Sequence, residues 1–123
     1  MPVSPKRKLE AEISEACIKY QRDLVGRGPQ ETKTYIVKDM VITRFKGVLT
    51  IEEKHLIQHE EGKKLVKQMR QVLREIHSEA FEEIITNLTG LPILSSHSDI
   101  STETGERIEV FIMSEDLEAK LES

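Results

Sequence analysis

The sequence predicts an α+β fold, in which a four-stranded antiparallel sheet carries helices packed on one face. Apolar residues recur at helical spacing over residues 7–25 and 50–89, and two pairs of short β-branched segments lie outside these runs. The chain has 123 residues, enough for one domain whose core needs no disulfide or metal. We expect a disordered N-terminus (1–6), a single domain (7–114) and an acidic C-terminal tail (115–123).

The first helix is predicted over Arg7–Val25, where one apolar stripe comprises Leu9, Ile13, Cys17, Tyr20 and Leu24. It ends at the turn sequence Gly26-Arg27-Gly28-Pro29. Consecutive backbone amides in such a turn can hold an anion, so Gly26, Arg27 and Gly28 form a candidate anion site. The alternative is that the turn only ends the helix.

Two strand pairs are predicted. The first comprises Thr32–Val37 and Met40–Phe45, joined at Lys38-Asp39, which lacks the favoured Asn-Gly chemistry. The second comprises Ile93–Ser98 and Arg107–Met113, with a loop over 101–106 that contains a glycine.

Between the pairs lies a long helical run from Thr50 to Thr89, which begins with the capping box Thr50-Ile51-Glu52-Glu53. One continuous helix would be roughly 57 Å long, whereas a domain of this length is about 35 Å across. The helix must therefore break, with Gly62 favouring a break near Glu60–Lys63, or project and find a partner. Its apolar stripe is the candidate oligomer interface: Leu65, Met69, Val72 and Ile76.

Composition argues against several classes of protein. A net charge of −4, no tryptophan and few aromatic residues do not fit a nucleic-acid binder. No apolar run approaches 18 residues, and Cys17 is the only cysteine, so we expect a cytoplasmic protein without direct membrane insertion.

No catalytic, metal or cofactor site is predicted. His55 and His59 are four residues apart, but Leu56 stands where a metalloprotease has its glutamate. Cys17 lies on an apolar stripe, which favours burial over a catalytic role. Neighbouring residues of the segment 95–99 alternate between strand faces, so its serines, histidine and aspartate cannot build a catalytic relay locally.

The chain resembles the MpsC-like family of small bacterial proteins. The resemblance rests on GRGP (26–29), TYIVKDMVITRFKGVLTIEEKHL (34–56), VKQMRQVLREIHSEAFEEIITNLTGLPILSSHSDI (66–100) and IEVFIM (108–113). It implies an accessory protein, in some cases linked to a membrane system for cation or inorganic-carbon (bicarbonate) uptake, and it carries no catalytic residues.

Two hypotheses follow. The first is a non-enzymatic accessory protein that forms a homodimer through the long helix and works peripherally at the membrane with a transport complex. The alternative is a sensor of a small anion or metabolite that uses the Gly26–Pro29 turn.

Overall fold

The computed structural model describes residues 3–26 and 28–122. The elements are α1 (Pro5–Val25), β1 (Glu31–Val37), β2 (Met40–Lys46), α2 (Ile51–Leu56), α3 (Glu60–Thr89), β3 (Ile93–Ile100), β4 (Arg107–Met113) and α4 (Leu117–Glu122). The strands form one antiparallel sheet in the order β1-β2-β4-β3, and the helices pack on it. The predicted α+β class is confirmed.

The core lies between the inner face of the sheet and the helices. Sheet residues that point inward alternate along each strand, as a half-buried antiparallel sheet requires. Tyr20 of α1 packs edge-on against Phe81 of α3, with ring centroids 4.9 Å apart. The buried cluster comprises Leu9, Ile13, Cys17, Ile36, Val41, Phe45, Phe81, Ile85, Leu91, Phe111, Met113 and Leu117.

The β1–β2 turn forms without Asn-Gly because other elements hold it. Lys38 adopts φ 57°, a left-handed conformation that is uncommon for lysine. The carbonyl of Asp39 accepts a hydrogen bond from Met113 N at 2.7 Å, and that of Lys38 accepts one from Glu118 N at 3.0 Å. Contacts from β4 and α4 therefore supply what the local sequence lacks.

The two ends of the domain pack on each other. Ser4 caps α1, which begins at Pro5, two residues before the predicted start. In the segment predicted as an acidic tail, Leu117 is buried in the core, and the Glu118 carboxylate pairs with Lys6 at 2.9 Å. Residues 115–122 thus contain apolar and acidic side chains in the pattern of a short amphipathic helix. Residues 1, 2 and 123 lie outside the described residues.

The long helical run is two helices, with the break at Ile57–His59, slightly before the predicted one. Gly62 does not bend a helix but lies in the first turn of α3. A methyl group there would collide with the carbonyl oxygen of Leu56. Glycine therefore lets the start of α3 lie directly against the end of α2.

The predicted capping box is present and extends into a buried ion pair. Thr50 N donates to Glu53 Oε1 at 2.8 Å, and Glu53 N donates to Thr50 Oγ at 3.1 Å. Arg70 of α3 donates through Nε to Glu53 Oε2 at 2.8 Å and through Nη2 to the carbonyl of Val48 at 2.7 Å. One guanidinium thus ties α3 to α2 and to the chain that enters α2.

Burial by itself would raise the pKa of Glu53, whose side chain is 4% exposed. The hydrogen bonds from Arg70 and Thr50 outweigh burial, so its pKa lies below the usual value of 4.5. The ionised form is therefore the one that stabilises the fold.

Replacement of Gly62 by alanine should destabilise the protein, although alanine normally favours helices. We expect a loss of about 1–3 kcal/mol in the free energy of unfolding, the usual cost of overpacking, measured by urea denaturation. Glu61→Ala, at the exposed neighbouring position, should change stability little. A Gly62→Ala protein as stable as the parent would contradict this packing of α2 on α3.

Glu53→Gln should cost about 3 kcal/mol at pH 7, since it breaks a buried ion pair. Because the folded-state pKa is depressed, the contribution of the carboxylate is complete above about pH 4.5 and is lost as the pH falls through the folded pKa. Urea midpoints of parent and variant should therefore converge in acid. Glu52→Gln, exposed on the same helix, is the control, and a pH-independent gap between parent and Glu53→Gln would refute the assignment.

Candidate functional site

A layer of three arginines lies between α3 and the sheet. Arg70 and Arg74 are one helical turn apart on α3, and Arg107 is the first residue of β4. Their side chains are 18%, 23% and 12% exposed. Such burial is unusual for arginine, because a buried charge is costly unless it is paired and hydrogen-bonded.

Arg70 is fully engaged by Glu53 and Val48, as described above. Arg74 donates through Nη2 to Ser96 Oγ on β3 at 3.0 Å, and its Nε lies 3.5 Å from Glu109 Oε2. The Glu109 side chain is 2% exposed on the inner face of β4. Two of the three cations are thus held by a carboxylate and at least one neutral acceptor.

Arg107 is the cation with unused donors. Its guanidinium carbon lies 4.6 Å from the ring centroid of Phe45 and 5.4 Å from that of Phe81. Its Nε is 4.0 Å from Glu109 Oε1, and among the described residues neither its Nε nor its Nη2 has a hydrogen-bond partner. Aromatic faces stabilise the charge, but each unsatisfied donor costs about 1–3 kcal/mol.

Burial raises the pKa of Glu109, and the charges of Arg107 and Arg74 oppose that shift. Burial lowers the pKa of Arg107, although a guanidinium remains protonated at neutral pH. Burial also raises the pKa of the Cys17 thiol to about 12. The buried Cys17 is therefore a protonated core thiol, in agreement with its place on an apolar stripe.

The arginines form one wall of a cavity of about 150 Å³, which we call the arginine cavity. No carboxylate is among the described residues that line it, whereas three guanidinium groups are. The opposite wall is largely apolar. The lining comprises Gln21, Leu24, Gly28, Pro29, Val48, Thr50, Arg70, Leu73, Arg74, His77, Phe81 and Arg107.

A second, more polar cavity of about 200 Å³ lies on the other side of the same arginines. It is lined by Lys67 and Asp99, which form an ion pair at 3.7 Å, and by residues of α3 and β3. The three arginines therefore line both cavities. Because carboxylates line only the polar cavity, an incoming anion meets less repulsion in the arginine cavity.

The predicted anion turn lies partly at this cavity. Gly28 and Pro29 line it, while Gly26 ends α1 in the left-handed conformation with φ 77°. Arg27 lies outside the described residues. The structure thus brings the end of the turn to a set of arginines that the sequence pattern did not connect with it.

The predicted oligomer residues lie together on the outer face of α3. Leu65, Met69, Val72 and Ile76 are 57%, 45%, 48% and 65% exposed. Their intervals of four, three and four residues place them along one side of the helix over about 17 Å. We call these four residues the α3 stripe, and nothing in the described chain buries it.

The remaining candidate residues are not brought together into a site. His55 lies in α2 and His59 caps α3, so the helix break separates them. Within the described residues no group of three or more histidine, cysteine or acidic side chains could hold a metal ion. Ser95, His97 and Asp99 lie on the exposed face of β3, where Asp99 Oδ1 accepts from Ile100 N at 2.8 Å.

The sequence does not show that Arg70 and Arg74 of α3 meet Arg107 and Glu109 of β4. One signal was available: Arg107 and Glu109 are in phase with Phe111 and Met113 on β4, so they share the buried face. The apolar Ile108, Val110 and Ile112, by contrast, face outward. Hydrophobicity alone favours the opposite orientation.

In the part of the chain that the structure describes, no helix is both long enough and apolar enough to span a membrane. No solved structure matches the chain. Two Bacillus subtilis relatives, both described as uncharacterized proteins, are similar over nearly their full lengths. YbcI is 40% identical, covering 95% of this chain and 94% of its own, and YrhF is 24% identical, covering 91% and 93%.

The family model for MpsC, described as "Na+-translocating membrane potential-generating system (MpsC)", matches residues 5–115. This range begins at the first residue of α1 and ends two residues before α4, so it includes the whole sheet, the arginine layer and the α3 stripe. The protein therefore belongs to the MpsC family.

Proposed function

We propose that this protein is a non-enzymatic accessory module that forms a homodimer through the α3 stripe. In this proposal it works in the cytoplasm with a membrane complex for cation or inorganic-carbon uptake and reaches the membrane only through that partner. The family description, which names a membrane-potential-generating system, supports the membrane link. The observation that carries the dimer is the exposed stripe of Leu65, Met69, Val72 and Ile76.

A second copy of the chain fits this stripe better than an unrelated partner. The four-three-four spacing is that of the seam in a two-helix coiled coil. Among the charged residues on the outward side of α3, Lys64 lies near the start, where Glu60 and Glu61 also lie, and Glu75, Glu79 and Glu83 lie further on. Antiparallel pairing about a two-fold axis would bring Lys64 of each helix towards the acidic residues further along the other.

The size of the stripe sets the expected affinity. About 17 Å of helix face is at the small end for a specific interface, and such interfaces are weak and reversible. A weak dimer would let the same surface exchange between a second copy and a membrane partner. Association with the membrane complex is therefore expected to depend on the same residues.

The alternative function is a sensor of a small anion at the Gly26–Pro29 turn. The supporting observation is that Gly28 and Pro29 line a cavity whose other wall carries three arginines. Amides of a turn and nearby guanidinium groups together favour negative charge. This function is compatible with an accessory role, since an anion could report on the system that the protein serves.

Val72→Glu combined with Ile76→Glu should convert a concentration-dependent dimer into a monomer. Four added carboxylates per dimer would face one another across an apolar seam and would be desolvated there. Sedimentation equilibrium at micromolar to sub-millimolar concentrations measures this. Gln71→Glu adds a negative charge at an exposed position of α3 outside the stripe and should leave association unchanged.

A parent protein that stays monomeric over this range would contradict the dimer proposal. The membrane part has its own readout. In cells, the parent should co-sediment with the membrane fraction more than the double variant, while Gln71→Glu should match the parent. Equal co-sedimentation of all three would refute the use of this surface at the membrane.

Arg27→Ala should weaken the stabilisation of the protein by small anions, if the turn senses them. An anion that binds only the native state raises the melting temperature in proportion to the logarithm of its concentration. Bicarbonate, phosphate, chloride and acetate should be compared at constant ionic strength by calorimetry. No anion-specific shift in the parent, or an equal shift in Arg27→Ala, would contradict a role for the turn.

A further inference from the structure

We infer that the arginine cavity is a binding site for a small organic monocarboxylate, with its carboxylate on Arg107 and its apolar body against Leu24, Leu73 and Phe81. This inference rests on the alternative proposed above, an anion sensor, and names both the ligand class and the side chain that holds it. The site is assigned to the arginine layer rather than to the amides of the turn.

The first argument is the unused capacity of Arg107. Arg70 is held by Glu53 and Val48, and Arg74 by Ser96 and Glu109. Arg107 lines the cavity, and among the described residues its Nε and Nη2 have no hydrogen-bond partner, nor has Oε2 of neighbouring Glu109. These atoms are buried, so a ligand carboxylate would reach the two nitrogens only when the Arg107 side chain turns them towards the cavity. A guanidinium presents its N–H groups as a fork that matches the two oxygens of a carboxylate.

The second argument is charge. The three guanidinium cations in the layer form ion pairs with only two carboxylates, Glu53 and Glu109. A third carboxylate, that of Glu82, is linked to Arg74 only through the Ser96 hydroxyl. All three carboxylates lie outside the lining of the arginine cavity. A carboxylate bound in the cavity would therefore face three guanidinium groups and no carboxylate of the lining.

The third argument is the nature and size of the opposite wall. Leu24, Leu73 and Phe81 offer apolar surface, which a bare inorganic anion cannot use. A dry protein cavity of about 150 Å³ accepts a molecule as large as benzene, and the arginine cavity has this volume. A carboxylate attached to a ring or to a short branched chain would therefore place its charge at the arginine wall and its apolar body against the opposite wall.

Benzoate is the test ligand, measured by isothermal titration calorimetry and by saturation-transfer NMR on the full chain. Benzamide, which has the same shape without charge, and formate, which has the charge without the apolar body, are the matched comparisons. Benzoate should bind at least about tenfold more tightly than either, the difference expected for one charge-assisted interaction. Benzamide binding as tightly as benzoate would overturn the role of the guanidinium.

Two variants locate the site. Arg107→Lys keeps the positive charge but loses the forked N–H geometry, and it should weaken the affinity for benzoate at least about tenfold. Should that variant not fold, Leu24→Trp serves instead, because Leu24 is half-exposed at the cavity and a larger side chain would fill it. Leu94→Trp, at a more exposed position outside the cavity, should bind benzoate like the parent.

The outcomes separate this inference from the sensor proposal. If inorganic anions stabilise the protein but benzoate binds no better than formate, the sensor stands and the ligand class is wrong. If neither inorganic anions nor benzoate bind, both fail. Benzoate binding that survives both Arg107→Lys and Leu24→Trp would place the ligand elsewhere and overturn the assignment.

Discussion

The structure depends on the mismatch between α3 and the sheet beneath it. Thirty helical residues extend about 45 Å, whereas strands of seven or eight residues reach only about 24–27 Å. The helix therefore extends beyond the sheet, and the sheet covers only the inward face of α3. Val66, Phe81 and Ile85 lie on that inward face and are buried. The outward residues remain uncovered: Leu65, Met69, Val72 and Ile76. The first half of α3 is held by α2, by the arginine layer and by a small apolar cluster of Val66 with Leu49 and Ile100.

In the first half of α3 the only buried apolar side chain among the described residues is Val66, and the arginine layer adds polar contacts to that half. Arg70 joins it to α2 and to the segment before α2, and Arg74 joins it to β3 and β4. Buried charges are held in place only when their partners are fixed, so the layer favours one arrangement of these elements. The same helix thus presents cations inward, at the arginine cavity, and apolar side chains outward, at the α3 stripe. Leu73, half-exposed and also lining the cavity, links the two faces.

Much of the fold could be predicted because the local signals agree with one another. The capping box at Thr50, the left-handed glycine at Gly90 and the alternation in β2 each mark an element that the structure contains. The exact break between α2 and α3 depends on how Gly62 meets Leu56, which is a tertiary contact that spacing does not encode. The arginine cavity was missed for the same reason. Arg70 and Arg74 are separated by more than thirty residues from Arg107 and are typical of a solvated helix face. The packing of α3 on β3 and β4 brings them together.

The measurement that most directly tests the central claim, that the outer face of α3 pairs with a second copy, is methyl NMR of the four methionines at increasing protein concentration. Met69 lies within the α3 stripe, Met40 is half-buried in β2, and Met113 is buried in the core, so one spectrum contains both the probe and its internal controls. The account predicts that the Met69 signal shifts or broadens as concentration rises. The Met40 and Met113 signals should keep their positions and lose only the intensity that slower tumbling of a larger species removes from every signal. A Met69 signal that keeps its position while the protein associates, or that never changes because the protein stays monomeric, would contradict it.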